Sequence, residues 1–421
     1  MSEHQRPDLE LPTFGEFIAM MALTMSLVAL TIDALLPAHG LIGAAYSVAD
    51  ANETQHLVYA VFYGLGISQL AFGPLADAYG RKFSVYLGLA IFTAGTLLCV
   101  YAATYDWLLV GRVLQGVGIA GPRAMTAAIV RDLYVGRYMA RVMSFILSFF
   151  VLVPAIAPAI GQLMLGAFGW RSIFWLYLVI GAIIVGWFVT RMPETLKSEH
   201  RQALSLRIAL RNMLEVVATP ISLGYMVAAT LISAAFIGFL GSSQQIFVDQ
   251  YGLGDLFPVF FAGLALSVGI STTINGRIVV SVGMRPLAMR AAFGYTASGL
   301  LLLVMALAHN GSPPIWLTMI CLCLVFLFVG FLFGNLNALA MEPLGHIAGT
   351  AAAVIGSVVT LAAGIIGAVS GSFYDGTMVP LGGTLVVLGG LAILTLWMTG
   401  RIPANEDRSN DSASATPAKR A

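Results

Sequence analysis

Long apolar stretches without charge recur along the whole chain of 421 residues. A helix that crosses a bilayer needs about 20 mostly apolar residues. Only 10% of the residues are charged, compared with about 25% in soluble domains. A membrane β-barrel would alternate polar and apolar residues within segments of about ten, and residues 315–333 do not alternate. The sequence therefore predicts an all-α membrane protein and excludes a soluble globular domain.

Charge-poor stretches bounded by Gly, Pro or charged residues predict twelve transmembrane helices. The longest polar segment between them, residues 191–217, follows the sixth helix and divides the chain into two six-helix bundles. The predicted helices cover residues 16–38, 55–76, 83–104, 107–130, 140–165, 169–190, 218–243, 256–280, 286–308, 314–340, 347–372 and 378–400.

The polar segments complete the expected domain organisation. Residues 1–15 form a cytoplasmic N-terminal segment, and residues 401–421 are too polar to fold alone and form a disordered cytoplasmic tail. The bundles cover residues 16–190 and 218–400. The linker, residues 191–217, is predicted to carry an amphipathic helix at the membrane surface, because Leu206, Leu210 and Leu214 recur on one helical face.

The positions of Lys and Arg predict the orientation in the membrane. They fall almost entirely in the N-terminal segment, the even-numbered loops and the tail, whereas the opposite loops contain only Arg171. Basic loops stay in the cytoplasm, so both termini are predicted to be cytoplasmic.

The charges are dispersed, with a net charge of +1, so no nucleic-acid partner is expected. The three cysteines lie in apolar stretches, and no metal or cofactor site is expected.

Asp33 is the one acidic residue well inside a predicted helix. Asp33 in the first helix and Arg112 in the fourth each lie about 7 Å below the outer surface, counting inwards from the predicted helix ends. They are therefore predicted to pair and to serve proton coupling. Two interpretations stay open: a fixed ion pair that joins two helices, or a proton switch in which Asp33 binds and releases a proton as its distance from Arg112 changes.

Further candidates lie on the second and fourth helices. Gln115 follows Arg112 by three positions, so we expect both side chains to face one cavity. Tyr59, Phe62 and Tyr63 form an aromatic stripe, for which substrate contact and helix packing are both open interpretations.

In the tenth helix, Asn335 and Asn337 lie about 200° apart, so only one can face a cavity. We take Asn335 as the substrate candidate, although the spacing does not choose between the two. Positions at the outer surface explain His39, Gln244 and Gln245 without a site. Arg123 is interpreted as a side chain that reaches out to the cytoplasm, and a functional role for it is the less favoured alternative.

The loop after the second predicted helix reads GPLADAYGRK over residues 73–82. It resembles the signature loop between the second and third helices of the major facilitator superfamily. The resemblance implies a cytoplasmic latch, with Asp77 against the start of the eleventh helix when the transporter opens outward. The alternative is that Arg81 and Lys82 only fix the topology. The gating residues that the resemblance implies are Gly73, Asp77, Gly80, Arg81 and Lys82.

Two more segments resemble drug exporters of that superfamily. Arg112 with Gln115 resembles the fourth-helix motif associated with proton coupling. Pro154, Pro158 and Gly161 resemble the fifth-helix antiporter motif, which implies a gating role for a kinked helix between the bundles. With TIDALLP at residues 31–37 and IVRDLY at residues 129–134, the pattern most resembles the Bcr/CflA (bicyclomycin and chloramphenicol resistance) group of bacterial multidrug exporters.

The expected function is proton-coupled efflux across the bacterial inner membrane by alternating access, in which a small, largely apolar compound leaves in exchange for protons. The alternative is a proton symporter that imports a small nutrient, because the fold does not decide direction. An enzyme is disfavoured because no span carries a catalytic cluster, and a channel because no selectivity filter is visible. The expected partners are a small-molecule substrate, protons and the lipid bilayer, and the chain is expected to act as a monomer.

Overall fold

The computed structural model describes residues 11–196, 199, 201 and 206–402. Within them, eleven apolar helical segments are long enough to cross a membrane, and one of these, Ile315–Gly371, is 57 residues long and comprises two helices, α12 and α13. The described residues thus contain the twelve membrane helices that the sequence predicts. The α-helices are α1 (Phe14–Asp33), α2 (His39–Ala45), α3 (His56–Tyr79), α4 (Arg81–Tyr101), α5 (Tyr105–Leu133), α6 (Gly136–Phe168), α7 (Arg171–Arg191), α8 (Leu206–Ala218), α9 (Pro220–Gln244), α10 (Phe257–Val282), α11 (Met284–Ala308), α12 (Ile315–Met341), α13 (Ala348–Gly371) and α14 (Val379–Thr399).

The first membrane helix is shorter than predicted. It was expected to continue to residue 38, but α1 ends at Asp33, and a short 3₁₀ turn, Leu36–Ala38, leads into α2. Pro37 explains the end of the helix, because a proline lacks an N–H and its ring collides with the carbonyl group four residues earlier, here that of Asp33. Asp33 therefore lies at a break in the first span and not well inside a continuous helix.

Two glycines end corresponding helices in the two halves of the chain. Gly80 follows α3 with φ +109°, and Gly283 follows α10 with φ +86°. Residues with a side chain rarely adopt this backbone conformation. Gly73, Gly80 and Arg81 are echoed about 200 residues later by Gly276, Gly283 and Arg285. This weak sequence repeat has the same structural basis in both halves: a tight cytoplasmic turn.

The membrane helices pack as two six-helix bundles, α1 with α3–α7 and α9–α14. In the first bundle, glycines let α5 approach its neighbours closely. A Cβ atom at Gly116 would collide with the backbone of Val61 in α3, and one at Gly118 would collide with Phe92 in α4. The glycine-rich segment of α5 thus serves helix packing, as small residues commonly do in membranes.

The helix predicted in the linker is α8. Leu210 and Leu214 are exposed on it, and Glu215 accepts a hydrogen bond from His346 at 2.6 Å. The side chains of residues 206–209 lie outside the described residues, as do residues 1–10 and 403–421, on which most of the predicted N-terminal segment and tail fall.

Among the described residues, the contacts between the bundles extend from the outer side to about the middle of the membrane, where Val151 of α6 meets Gly269 of α10. Contacts between α3 and α13 run from Tyr59 against Gly371, at the outer end, to Gln69 against Gly356. Nearer the cytoplasm, a Cβ atom at Gly73 would meet no described atom within 4 Å. The bundles therefore touch at the outer side and separate towards the cytoplasm, which makes this an inward-facing conformation with a cleft open to the cytoplasm.

Candidate functional site

Arg112 is fixed by hydrogen bonds inside the first bundle. Its Nε donates to the carbonyl oxygen of Leu57 at 2.9 Å, and its Nη1 donates to Oε1 of Gln115 at 2.7 Å. The Nε2 of Gln115 donates to Oγ1 of Thr96 in α4 at 2.9 Å. Arg112, Gln115 and Thr96 are fully buried. Gln115, predicted to line a substrate cavity, instead orients Arg112 in this conformation.

The predicted ion pair between Asp33 and Arg112 does not form in this conformation. Asp33 is 5% exposed, and none of the ion pairs in the described part of the chain joins it to Arg112. Arg112 is held towards α3, whereas Asp33 lies where α1 ends. The prediction assumed that equal depth on two continuous helices would bring the side chains together, and the break after Asp33 removes that assumption.

Two buried residues that sequence reasoning did not assign to the site, Tyr177 and His39, lie near Asp33 or Arg112. The Tyr177 hydroxyl donates to the carbonyl oxygen of Thr31 at 3.3 Å, and its ring is within electrostatic range of both Asp33 and Arg112. His39 is also in range of Arg112 and is buried, with neither ring nitrogen hydrogen-bonded within the described residues. The prediction that His39 lies at the surface is therefore wrong, because the turn after α1 folds it inward.

The outer contact between the bundles is a hydrogen-bond network formed by Asn52, Gln55, Tyr59 and Gln245. Tyr59 donates to Oε1 of Gln55 at 2.8 Å, and Nε2 of Gln55 donates to Oε1 of Gln245 at 2.7 Å. Nε2 of Gln245 donates to Oδ1 of Asn52 at 2.9 Å. The prediction of a surface position is wrong for Gln245 and also for Gln244, since both are buried. Tyr59, predicted to contact substrate, belongs to this contact.

Replacing Gln55 by Ala is expected to weaken the outer contact. The variant loses the acceptor for Tyr59 and the donor to Gln245 and to the carbonyl oxygen of Gly371. At about 1 kcal/mol for each hydrogen bond, the loss should favour outward-open molecules by about tenfold or more.

Electron paramagnetic resonance can measure this shift with spin labels at Glu53 and Asp375, two exposed residues on opposite sides of the outer contact. The labels require a background in which the three native cysteines are replaced by Ala. Gln55→Ala should lengthen the distance between the labels. Gln250→Ala is the matched control, because the hydrogen bonds of Gln250 among the described residues lie within the second half. An unchanged distance distribution in Gln55→Ala would contradict the proposed role.

The rest of the aromatic stripe lies one to two turns below the outer contact. Phe62 and Tyr63 are half-buried and face Gly364 of α13, where a Cβ atom would lie 3.3 Å from the Tyr63 ring and 3.4 Å from Cβ of Phe62. These side chains therefore lie between the bundles, nearer to the cytoplasmic cleft than Tyr59.

The two asparagines of α12 point in different directions, as their spacing predicts. Asn335 is buried and donates to Oδ1 of Asn275 in α10 at 2.7 Å and to the carbonyl oxygen of Phe331 at 2.8 Å. Asn337 is exposed and bonds its own helix at Phe333. In this conformation the amide of Asn335 is thus occupied by a contact inside the second bundle.

The loop after α3 is held by a network of charges. Arg81 donates from Nη1 to Oδ1 of Asp77 at 2.6 Å and from Nε to Oδ2 of Asp132 at 2.9 Å. The Glu194 carboxylate accepts from the backbone N–H groups of Arg81 and Lys82 at 2.9 and 3.1 Å. Arg81 is nearly buried, but the side chain of Asp77 is 48% exposed. Nothing in the sequence pattern linked Asp132 and Glu194 to this loop.

The proline-containing helix α6 continues through Pro154 and Pro158. Near its outer end, Gly161 packs against the backbone of Ala34, and a Cβ atom at Gly161 would collide with the Ala34 carbonyl oxygen. The antiporter-like motif of α6 therefore contacts the residue that follows Asp33.

Comparison with known proteins identifies the family. A family model described as Major Facilitator Superfamily matches residues 13–368. The chain belongs to this superfamily. It is 28% identical over 384 residues to the bicyclomycin resistance protein homolog of Haemophilus influenzae, which covers 90% of this chain and 94% of the relative. It is 26% identical over 330 residues to the multidrug resistance protein MdtL of Salmonella typhimurium, covering 75% of this chain and 79% of the relative.

A solved structure has the same fold. The partially occluded inward-open conformation of the xylose transporter XylE from E. coli matches with a TM-score of 0.72, at 13% identity, over 94% of this chain and 99% of that one. Membership of the Major Facilitator Superfamily makes this chain a transporter and not an enzyme, as predicted. It is a multi-pass protein of the bacterial inner membrane. The relatives also support the resemblance to the Bcr/CflA group.

Proposed function

We propose that this transporter exports a small, largely apolar compound in exchange for protons. The observation that carries the proposal is Asp33, a carboxyl group buried at the break after α1, with Arg112 in the same bundle. An ionised carboxylate within the membrane is costly, so a carboxyl group buried there is a candidate proton carrier. In the proposed cycle Asp33 takes up a proton when the outer side is open and releases it to the cytoplasm.

Movement of α1 relative to α5 would couple the proton to the change of access. In the inward-facing conformation Arg112 is hydrogen-bonded to Leu57 and Gln115 and not to Asp33. We propose that Arg112 approaches Asp33 in a second inward-facing state, as the substrate binds from the cytoplasm, and thereby favours the ionised carboxylate and release of the proton to the cytoplasm. Gly161 of α6 packs against Ala34, the residue after Asp33, which supports a role for the proline-containing helix in this movement.

The proposed substrate site lies between the bundles below the outer contact. Phe62 and Tyr63 supply its aromatic wall, and Tyr59 closes it from the outside. Asn335 would reach a substrate only after its bond to Asn275 opens. The single chain encloses this site between its own bundles, so the proposed working unit is a monomer.

The charge network after α3 is the proposed cytoplasmic latch. Asp77 is half exposed and bonded to Arg81 in the inward-facing conformation. At the start of α13, a Cβ atom at Gly349 would meet no described atom within 4 Å. We propose that Asp77 faces the start of α13 in the outward-open state, where the helix dipole favours a carboxylate by about 0.3 to 1 kcal/mol.

The names of the relatives support export over import. The bicyclomycin resistance protein homolog and MdtL are named for resistance, which export of a toxic compound produces. The fold shared with a xylose transporter does not bear on direction.

Growth of an efflux-deficient host across a panel of chemically diverse toxic compounds tests the direction of transport. Expression of the transporter should raise the tolerated concentration of some compounds, and expression of Asp33→Asn should not. A host that grows better only on a limiting nutrient would support the symporter instead.

In membrane vesicles, an imposed voltage should drive export of a neutral compound against one proton, because net charge moves, but should not drive export of a monovalent cation.

A further inference from the structure

The cytoplasmic cleft contains a cation that the proposed cycle does not use. Arg123 lies in α5, ten residues before the helix ends at Leu133, which is about 15 Å from the cytoplasmic end. Its side chain is exposed, and it makes no hydrogen bond or ion pair with any described residue. Charged residues at this depth are costly and usually face a polar cavity, so Arg123 is a candidate functional residue.

The direction of the Arg123 side chain follows from α5 itself. Arg123 comes eleven positions after Arg112, so the two share a helical face within about 20°. That face lies inside the bundle: Arg112 is fully buried, and Gly116, seven positions before Arg123 and within about 20° of it, packs on α3. Gly118, about 140° away from Arg123, packs on α4. The exposure of Arg123 is therefore exposure to the cleft and not to lipid. The interpretation of Arg123 as a side chain that only reaches out to the cytoplasm does not explain this inward face.

A second polar side chain without a hydrogen-bond partner among the described residues, Gln69, lies further from the cytoplasm than Arg123. Gln69 of α3 contacts Gly356 of α13 where the cleft begins, and its Nε2 is buried without a hydrogen-bond acceptor among the described residues. Phe72 packs against Gly121, so Gln69 lies about one and a half helical turns, roughly 8 Å, further from the cytoplasm than Arg123. Gln69 at the closed end of the cleft and Arg123 along its side are thus both hydrogen-bond donors without an acceptor among the described residues.

We propose that Arg123 binds the carboxylate of the exported compound as it enters from the cytoplasm. The proposal rests on the proposed export function and specifies its substrate class: small organic anions with an apolar body and one carboxylate. A guanidinium group binds a carboxylate through two parallel hydrogen bonds. The amide of Gln69 is a further donor at the closed end of the cleft. Phe62 and Tyr63 lie nearer the outer side than Gln69, where they would contact the apolar part of the compound.

Binding to the purified full-length transporter in nanodiscs tests the proposal. The probes are 4-phenylbutyrate and 2-naphthylacetate, each with the alcohol and the amine of the same carbon skeleton, and the readouts are calorimetry and thermal stabilisation. The wild type should bind the acids more tightly than the alcohols and amines. Arg123→Gln should weaken acid binding by about ten- to hundredfold and change alcohol binding by less than about threefold.

Two further variants separate charge from folding. Arg123→Lys should retain most of the preference for acids, and Arg290→Gln, which removes an exposed arginine from α11, should leave it unchanged. Wild type that binds neither acid, or binds the acids no better than the alcohols, overturns the proposal. Acid affinity that is unchanged in a folded Arg123→Gln variant also overturns it.

Flux measurements in proteoliposomes separate this inference from the antiporter proposal. Export of a monoanion against one proton moves two charges, so an interior-negative voltage should accelerate acid export more steeply than alcohol export. If the acid binds through Arg123 but a pH gradient does not drive its flux, proton antiport fails and the carboxylate site stands. If a pH gradient drives export of neutral compounds and acids are ignored, the carboxylate site fails and antiport stands.

Discussion

Asp33→Asn is expected to reduce proton-driven export to the level of vesicles without the transporter, a loss of at least about a hundredfold. An amide has nearly the volume of a carboxyl group but does not take up a proton at physiological pH. One proton that moves down 100 mV supplies about 2.3 kcal/mol, enough to concentrate a neutral compound about fiftyfold. Without that coupling, the variant should only equilibrate its substrate.

The Asp33→Asn variant should fold. Removal of one partner from a buried ion pair leaves an uncompensated charge, but none of the ion pairs among the described residues includes Asp33 in this conformation. Substrate binding should therefore persist, and a thermal unfolding curve should show little loss of stability. This combination distinguishes lost coupling from lost structure.

The measurement is export from inverted vesicles with and without an imposed pH gradient. Asp106→Asn is the matched control, since Asp106 lies exposed in the first turn of α5 and the same chemical change there should leave export unaltered. Export by Asp33→Asn that still responds to the pH gradient at the wild-type rate would contradict the assignment of Asp33.

Arg81→Ala is expected to destabilise the inward-facing conformation by about 3 kcal/mol. The arginine side chain is 9% exposed and pairs with Asp77 at 2.6 Å and with Asp132 at 2.9 Å. Loss of one partner from a buried ion pair costs about 3 to 5 kcal/mol, and the half-exposed Asp77 places this case at the lower end. The side chain of Asp132, only 15% exposed, would lose its guanidinium partner.

The second half of the chain supplies a matched control at the corresponding cytoplasmic turn. Arg285 lies 3.6 Å from Glu342, and both side chains are about half exposed, so Arg285→Ala should cost less than about 1 kcal/mol. Thermal unfolding in detergent and export in vesicles should both fall much further for Arg81→Ala than for Arg285→Ala. Equal losses in the two variants would contradict a specific role for the loop after α3.

Local patterns predicted most of the architecture. The number of spans, their approximate bounds and the two cytoplasmic glycine turns depend on residues near each other in the chain, because a membrane helix forms its backbone hydrogen bonds within its own segment. The first span was predicted too long, although the signal was present: Pro37 stands four residues after Asp33.

The candidate site was harder to predict, because its contacts join distant segments. Gln115 and Arg112 share a helical face, and the structure confirms that they meet. Their remaining partners, the carbonyl oxygen of Leu57 and the hydroxyl of Thr96, carry no sequence signal. Gln245 lies in a sequence that is typical of an ordinary helix end, yet its side chain accepts a hydrogen bond from Gln55 across the bundle interface.

The sequence by itself determined that the chain crosses a membrane as twelve helices with cytoplasmic termini, because hydropathy and basic loops act on each segment separately. The tertiary structure decided which polar groups meet: it separated Asp33 from Arg112, buried His39 and Gln245, and turned Arg123 into the cleft. Helix rotation, helix breaks and the packing of two bundles set those contacts, and they depend on the whole chain at once.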